Sequence, residues 1–316
     1  MVRVIALHSV IPLRSEPAET AEMSTQMLFG ETADVLEDAR RWTHIRLHQD
    51  GQTGWADTKM LTPLSDEEWS EHKRNEAIAL SVHNGFIPRV ALPMTYAVSE
   101  NNGQTVPLTA GTRLLAYNNG VFSLLGVRFR IDPQAVLVNP LILNLENLMQ
   151  ATRFFLNIPY LWGGKNAMGM DCSGFTQTIC SLFGISLPRN ASEQYSLSQR
   201  INKRDALFSS MNPVYSLEHA QAGDLLFFDH PAHLEDDAPH SSTEIERVPL
   251  PATTDAPPKI THVGILLDKK RILHCSGRVK VERLDNHGIL SMETADAAHP
   301  DGRYTHHLVH LSRAVL

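Results

Sequence analysis

One cysteine and two histidines have the spacing that acyl-transfer chemistry requires. Cys172 follows the glycine-rich turn at Gly163–Gly164 and begins a stretch with the apolar spacing of a helix. His262 and His274 each lie in a short apolar run, and the charged segment 268–270 between the runs predicts a turn. The two histidines can therefore lie on neighbouring antiparallel strands. A thiol, a base within hydrogen-bond reach and a third group that orients the base are the minimum requirement of a cysteine hydrolase.

The position of Cys172 at a helix start predicts an activated thiol. The positive end of the helix dipole lowers the pKa of a cysteine there and favours the thiolate. The backbone amide of Cys172 could also donate a hydrogen bond to an oxyanion. In this arrangement His262 is the base, and His274 orients its imidazole.

Two other interpretations of these residues stay open. A buried cysteine is usually an inert small hydrophobe, and Cys180 on the same predicted helix fits that description. A metal site made of Cys172, His262, His274 and Cys275 is the second alternative. Cys275 directly follows His274, however, so the two side chains point to opposite faces of a strand. We therefore predict neither a metal nor a cofactor.

Composition excludes several classes of protein. The 316 residues include 42% hydrophobic and 20% charged side chains, which is typical of a soluble globular protein of two or three domains. A net charge of −7 without a lysine or arginine cluster predicts no nucleic-acid partner. Three cysteines cannot all pair, so the sequence implies no disulfide framework. Whether the compartment is the cytoplasm or the periplasm and cell envelope stays open.

The beginning of the chain is typical of a strand. The stretch Met1–Pro12 is apolar but contains Arg3 and His8, and no small-residue cleavage site follows it, so we expect no signal peptide. No segment approaches the roughly 20 apolar residues of a membrane span.

The pattern of predicted elements changes near residue 140. Residues 1–63 and 81–140 have the pattern of short strands, and a helix with Ser65 as its N-cap is expected at 64–80. Asn119–Gly120 predicts a hairpin turn. Two successive small β-barrels fit this pattern better than one sandwich. In residues 141–316, helices come first and a meander of strands follows, which is typical of an α+β domain.

An irregular insertion interrupts the last sheet at about residues 230–259. It contains six prolines and six acidic residues, against the two basic residues Arg247 and Lys259. This composition predicts a solvated surface excursion, and a lid over the cleft is the alternative. We expect the histidines within it to be solvated: His230, His233 and His240.

A series of short motifs carries a resemblance to a known family. In chain order they are Pro159-Tyr160-Leu161-Trp162-Gly163-Gly164, Asp171-Cys172-Ser173-Gly174-Phe175, Leu187-Pro188-Arg189, Ala222-Gly223-Asp224-Leu225 with Phe227-Phe228, Thr261-His262-Val263-Gly264 and Leu273-His274. Residues 144–284 thereby resemble the NlpC-type cell-wall peptidases, papain-like bacterial enzymes that hydrolyse γ-D-glutamyl bonds in peptidoglycan peptides. The resemblance implies that Cys172 is the nucleophile, His262 the base and His274 the third polar residue. It further implies a set of residues that contact substrate: Tyr160, Trp162, Asp171 and Ser173.

The N-terminal 140 residues resemble two bacterial SH3-like modules, with Thr25–Gln26, Phe29–Gly30 and Gly54–Trp55 as anchors. The expected fold class is therefore α+β, with two small SH3-like β-barrels followed by a papain-like α+β peptidase domain. The expected units are residues 1–63, a linking helix at 64–80, residues 81–140 and the peptidase domain at 141–316.

This combination is similar to the murein-peptide recycling enzymes, which release L-Ala-γ-D-Glu from stem peptides with a free N-terminal L-Ala. In that subgroup the first module supplies an acidic residue and a tyrosine to the cleft, and an aspartate follows the Leu-Pro-Arg motif. Here Ser24, Gln52 and Asn190 stand at those three positions. A desolvated ammonium needs carboxylate partners, so the preference for a free amine stays open. An acylated or longer stem peptide is the alternative substrate.

The sequence as a whole predicts a monomeric cysteine endopeptidase. Its substrates would be peptidoglycan stem peptides or muropeptides, cleaved through an acyl-enzyme at the bond between γ-D-glutamate and the diamino acid. One alternative is a non-catalytic wall-binding protein that acts through its SH3-like modules. Another keeps the acyl-enzyme but performs amidase or acyl-transfer chemistry. The identity of the diamino acid, diaminopimelate or lysine, stays open.

Overall fold

The structure is a computed structural model, and it describes residues 2–199, 207–229, 258–296, 299–300 and 302–315. Its helices and sheets make an α+β protein, which confirms the predicted fold class. Nearly all of the predicted insertion at 230–259 lies outside the described residues, and so do its three histidines.

The first sheet contains seven antiparallel strands in the spatial order β3-β2-β6-β5-β4-β1-β7. The strands are β1 (Arg3–Ala6), β2 (Val10–Arg14), β3 (Met23–Leu28), β4 (Thr32–Ala39), β5 (Trp42–Leu47), β6 (Thr53–Asp57) and β7 (Leu61–Leu64). Side chains alternate between the two faces of a strand, so Ile11 and Leu13 on β2 are both fully buried in its core. The beginning of the chain is thus part of a sheet, as its pattern predicts.

The helix α1 (Asp66–Val82) follows the first sheet. Ser65 caps it, because the Ser65 hydroxyl accepts from the amide of Glu68 at 3.1 Å and the Glu68 carboxylate accepts from the amide of Ser65 at 2.8 Å. The predicted N-cap is therefore confirmed, and the helix continues two residues beyond its expected end at residue 80.

A second group of strands packs against the first sheet. Four of them lie in the order β10-β9-β12-β11, and β8 pairs with β13 beside them. The strands are β8 (Arg89–Val90), β9 (Met94–Ser99), β10 (Thr105–Thr109), β11 (Val121–Leu124), β12 (Val127–Ile131) and β13 (Val136–Leu137). Phe29 of the first sheet packs edge-on against Phe122 and Phe129, at ring-centre distances of 6.4 and 5.6 Å. Ile5 and Phe29 of the first module therefore belong to the apolar core of the second.

The remainder of the chain packs three helices against a larger sheet. In chain order its elements are α2 (Leu145–Thr152), β14 (Lys165–Asn166), β15 (Gly169–Met170), α3 (Cys172–Leu182), α4 (Ala191–Ser198), β16 (Met211–Val214), β17 (Leu225–Asp229), β18 (His262–Asp268), β19 (Arg271–Ser276), β20 (Arg278–Leu284), β21 (Gly288–Ser291) and β22 (Arg303–Ala314). The large sheet has the order β16-β22-β17-β18-β19-β20-β21. Because β21 also pairs with β22, the strands from β22 to β21 close into a barrel.

Apolar residues lie on both faces of this barrel. Phe228, Leu266 and Ile272 belong to the core inside it, whereas Phe227 and Val263 belong to the core between the barrel and α3. The neighbours Phe227 and Phe228 thus face different cores, as the alternation of a strand requires. This packing holds the N-terminus of α3 against the beginning of β18.

The boundaries of the expected units, at residues 63, 80 and 140, stay a prediction. In the part of the chain that the structure describes, no helix is long and apolar enough to cross a membrane.

Candidate active site

Cys172 is the first residue of α3, as its sequence position predicts. Asp171 is the N-cap, and its carboxylate accepts from the amide of Gly174 at 2.6 Å. The apolar face of α3 is buried against the barrel, and Gly184 with a φ of +76° follows the end of the helix. These local features place the thiol where the glycine-rich turn, the helix start and the first residues of β18 meet.

A buried arginine ties the glycine-rich turn to the helix start. Arg189 is only 1% exposed and binds Asp171 with both ends of its guanidinium, at 2.9 and 2.7 Å. It also donates to the hydroxyls of Ser173 and Thr25, at 3.0 and 2.9 Å. Thr25 belongs to the first sheet, so this one side chain connects both parts of the molecule.

The expectation of an activated resting thiol is not met. Burial raises the pKa of the Cys172 thiol to about 11, and the Asp171 carboxylate acts in the same direction. The backbone amides of Val263 and Ser173 lower it, but they do not outweigh burial. The sulfur is therefore protonated at neutral pH in the absence of substrate, in spite of its place at a helix N-terminus.

The two predicted histidines form a hydrogen-bonded pair. His262 Nε2 lies 2.8 Å from His274 Nδ1, and both side chains are buried. His262 begins β18, next to Val263, whose amide approaches the sulfur of Cys172. His274 stands opposite Gly264 in the ladder, where a Cβ atom would come within 2.9 Å of the Cβ of His274. The Thr-His-Val-Gly motif thus provides one imidazole and leaves space for the other.

Two further ionisable residues lie beside this pair, and the sequence analysis did not identify them. Glu282 on β20 accepts from His274 Nε2 at 2.9 Å. His306 on β22 packs against His262 with ring centres 4.2 Å apart and ring planes tilted by 31°. Glu282 lies between Val281 and Arg283, so no simple alternation of apolar and polar residues in β20 indicated the carboxylate. No local pattern indicates His306, because β22 reaches the site through long-range pairing with β17 and β21.

Burial keeps both imidazoles neutral. It lowers the pKa of His262 well below its usual value, and His306, His274 and Lys280 lower it further. Burial also lowers the pKa of His274, although Glu282 acts in the opposite direction. A neutral His262 can accept a proton, which is the state that a general base requires.

The predicted substrate residues of the catalytic domain divide into two groups. Trp162 is 59% exposed, and its indole N–H donates to Glu22 of the first module. Tyr160 is partly buried; burial raises the pKa of its hydroxyl, and the nearby Cys172 sulfur raises it further. Asp171 and Ser173 are buried and bonded to Arg189, so the structure assigns them a role in the scaffold. Their contact with substrate stays a prediction.

The three positions that depart from the recycling subgroup lie on the first module and α4. Gln52 donates through Nε2 to Glu193 Oε2 at 2.7 Å, and the backbone amide of Asn190 donates to the same oxygen at 3.2 Å. Ser24 donates to the carbonyl of Leu13 at 3.2 Å. Gln52 and Asn190 are therefore brought together by a carboxylate that the sequence analysis did not consider. Their contact with substrate, and that of Ser24, stay predictions.

The other two cysteines, Cys180 and Cys275, are buried thiols on α3 and β19. Burial raises the pKa of each thiol to about 12, and the Cys275 sulfhydryl donates to the carbonyl of Met170 at 3.1 Å. Cys275 faces the core between the barrel and α3, opposite to His274. Among the described residues, no three histidine, cysteine or acidic side chains are grouped as metal ligands.

Two segments of the chain match known families. Residues 157–240 match the NlpC/P60 family, and residues 13–61 match the bacterial dipeptidyl-peptidase SH3 domain. The chain is thus similar to an NlpC/P60 domain in its second half, and to a bacterial SH3 domain near its beginning.

Two curated relatives are similar over about two thirds of the chain. The chain is 28% identical over 218 residues to the gamma-D-glutamyl-L-lysine dipeptidyl-peptidase of Bacillus subtilis, a match that covers 65% of this chain and 64% of the relative. It is 27% identical over 240 residues to the protein of the same name from Bacillus cereus, with 66% and 61% covered. The matched region therefore spans less than two thirds of the length of these relatives.

A solved structure shares the whole architecture. The crystal structure of an NlpC/P60 family protein from Bacillus cereus superposes with a TM-score of 0.65 at 18% identity, covering 99% of this chain and 100% of the other. At this identity the similarity concerns the fold.

Proposed function

We propose that this chain is a cysteine peptidase that hydrolyses the bond between γ-D-glutamate and the diamino acid of peptidoglycan stem peptides. The observation that carries the proposal is the buried pair His262–His274 at the beginning of β18, against the helix start that bears Cys172. The NlpC/P60 match and the names of the two Bacillus relatives support the substrate class. A binding module would not need a buried thiol beside two buried, hydrogen-bonded imidazoles.

The geometry supports an attack in which proton transfer accompanies bond formation. The Cys172 sulfur adds to the γ-carbonyl carbon, and its proton passes to the unprotonated nitrogen of His262. The amide of Cys172, at the N-terminus of α3, donates to the developing oxyanion. The tetrahedral adduct collapses, His262 gives the proton to the leaving α-amine, and a thioester remains. Water, deprotonated by His262, then hydrolyses the thioester and restores the thiol.

The first module supports a preference for small soluble peptides. Glu22 and Gln52 of that module contact Trp162 and Glu193 of the catalytic part, so the module forms one wall of the cleft. Both hydrogen bonds received by Glu193 end on Oε2. In the described residues no group is bonded to Oε1, which leaves one carboxylate oxygen for a ligand. We propose that Glu193 binds the ammonium of the N-terminal L-Ala, in place of the carboxylates missing at Ser24 and Asn190.

A cleavage assay followed by mass spectrometry tests this function. The substrates are L-Ala-γ-D-Glu-meso-diaminopimelate, the analogue with L-lysine at the third position, and the first peptide acetylated on its L-Ala nitrogen. We expect release of L-Ala-D-Glu from the free peptides. Cys172→Ala should reduce the rate about 10³-fold or more, because it removes the nucleophile. Cys180→Ala is the matched control, since it removes a buried thiol from the same helix and should cleave at the parent rate.

Either of two results would contradict the proposal. Cys172→Ala could cleave as fast as the parent, which would exclude this thiol as the nucleophile. Alternatively, the parent could cleave none of the peptides yet sediment with insoluble sacculi, which would identify a wall-binding protein. If the acetylated peptide is cleaved as fast as the free one, the proposed peptidase activity still stands. The proposed contact between Glu193 and the ammonium is then excluded.

A further inference from the structure

A buried carboxylate lies behind the second histidine of the site. Glu282 Oε2 is 2.9 Å from His274 Nε2, and His274 is fully buried. The other oxygen, Oε1, accepts from the hydroxyl of Ser291 and lies 3.2 Å from the Lys280 ammonium. Burial raises the pKa of Glu282, but the hydrogen bonds from His274 and Ser291 outweigh it and hold the pKa at about 2. Glu282 is therefore an anion throughout the neutral pH range.

An anionic Glu282 determines where the protons of both histidines lie. A carboxylate can only accept, so Nε2 of His274 carries its proton toward Glu282. Neutral His274 then has a lone pair on Nδ1, which faces His262 Nε2 at 2.8 Å. His262 must donate across this contact, which leaves its Nδ1 without a proton. That nitrogen is the one available to accept the Cys172 proton.

In the part of the chain that the structure describes, Glu282 is the carboxylate that is hydrogen-bonded to the histidine pair. Among the described residues, His306 on β22 and Lys280 on β20 lie close enough to the pair to lower the pKa of His262. Glu293 is about half exposed and bonds to Lys280 and Arg278, and it raises the pKa of His274 less than Glu282 does. When His262 takes up a proton during the reaction, Glu282 is thus the anion that stabilises the charged pair through His274.

We propose that Glu282 is a positioning residue, which sets the tautomers of His274 and His262 and thereby keeps His262 Nδ1 free to act as the base. This inference deepens the proposed function and depends on it for its kinetic test. Glu282 touches neither the substrate nor the sulfur, so its effect is exerted only through the two imidazoles.

Two substitutions distinguish the role of Glu282 as a hydrogen-bond acceptor from the role of its negative charge. Glu282→Gln keeps an oxygen that can accept from His274 but removes the charge, and Glu282→Met keeps the length but removes both. We expect kcat to fall about 10-fold in the glutamine variant and about 10³-fold in the methionine variant, since a triad histidine held in the wrong tautomer loses most of its catalysis. KM should change less than about threefold in both, because substrate contacts are intact. Glu293→Gln is the matched control and should keep the parent kcat.

The pH profile and ring nitrogen spectra distinguish positioning from a merely structural role. Loss of a negative charge lowers the pKa of His262, so the acidic limb of kcat/KM should move down by about 0.5 to 1 pH unit in Glu282→Gln. Nitrogen NMR of the substrate-free proteins should show both histidines protonated on Nε2 in the parent and on Nδ1 in Glu282→Met. Thermal unfolding of each variant verifies that it is folded.

The spectra need no substrate, so they test the inference even if no murein peptide is cleaved. A parent that cleaves nothing would contradict the proposed function alone. Unchanged histidine tautomers in a folded Glu282→Met protein, or a kcat within threefold of the parent in an active enzyme, would overturn the role of Glu282.

Discussion

At the scale of single residues, burial determines the protonation states of the candidate catalytic groups. Cys172 lies at a helix N-terminus, yet desolvation raises its pKa to about 11. The helix dipole is worth about 1 kcal/mol, whereas full burial of a thiolate costs several times more. His262 is neutral for the same reason. Both shifts favour a neutral thiol and a neutral imidazole in the resting site.

The reaction of Cys172 with iodoacetamide tests this resting state. Alkylation requires the thiolate, so its rate should rise with pH through neutrality and reach no plateau below about pH 9, as expected for a pKa raised above that of a free thiol. Labelling is followed by mass spectrometry of the peptide that contains Cys172, with the Cys172→Ala protein as blank. A plateau beginning near pH 6 would instead indicate a preformed thiolate–imidazolium pair.

The charge of Glu193 should determine the preference for a free amine. Glu193→Gln keeps the size of the side chain but removes a charged hydrogen bond, so KM for the free tripeptide should rise roughly 10-fold. KM for the N-acetylated peptide should not change, because that substrate has no ammonium. Glu146→Gln, an exposed carboxylate on α2, is the control. An equal rise in KM for both peptides would show that Glu193 does not recognise the ammonium.

At the scale of elements, the beginning of α3 depends on a close approach between Gly174 of the helix and Gly164 of the preceding turn. A Cβ on Gly174 would lie 2.2 Å from the carbonyl oxygen of Gly164 and 3.0 Å from Asp171 Oδ1. That carbonyl also accepts from Arg189 at 3.3 Å, so the turn cannot move without breaking the arginine network. The glycines of the two motifs therefore allow the turn and the helix to approach closely enough to place the thiol.

Substitution of Gly174 by alanine should damage both stability and catalysis. The clash is with backbone, so we expect a loss of about 3 kcal/mol in the free energy of unfolding and a large decrease in kcat. Gly277→Ala is the comparison: Gly277 has a φ of +69° but open space around it, so only backbone strain of about 1 kcal/mol is expected. Chemical denaturation and the cleavage assay measure both. Equal losses in the two variants would contradict the close-packing explanation.

At the scale of the whole molecule, the first sheet and the catalytic part are joined by buried polar contacts. Gln26 accepts from the amide of Lys165 and from the side chain of Asn166, both at 2.8 Å. The Lys165 ammonium lies 3.3 Å from Glu31, and the two side chains are 5% and 8% exposed. Such contacts connect the first sheet to the loop that precedes Cys172.

Removal of the buried cation should destabilise this junction in a pH-dependent manner. Lys165→Met leaves the Glu31 carboxylate buried without its partner, at a cost of about 3 to 5 kcal/mol in unfolding free energy. Burial already raises the pKa of Glu31, and the substitution raises it further. The folded state then binds a proton more tightly than the unfolded chain, so stability falls as pH rises from the unfolded pKa through the folded one.

Thermal unfolding at pH 5 and pH 8 measures this effect. The variant should lose more stability relative to the parent at pH 8 than at pH 5. Adding Glu31→Gln to Lys165→Met should recover much of the loss, because it removes the unpaired charge. If the stability changes of the two single variants simply add up in the double variant, Lys165 and Glu31 are not coupled.

The sequence by itself determined the local structure around the candidate site. Cys172 at a helix start, His262 and His274 on adjacent strands and the Ser65 cap follow from patterns within a few residues, because caps, turns and strand alternation are local properties. What only the tertiary structure decided involves residues distant in sequence: Arg189 with Thr25, Gln52 with Glu193, and His262 with His306. The raised pKa of Cys172 belongs here too, since burial depends on every element packed around the sulfur. Strand register and the packing of one module on another place those groups, and no local pattern encodes either of them.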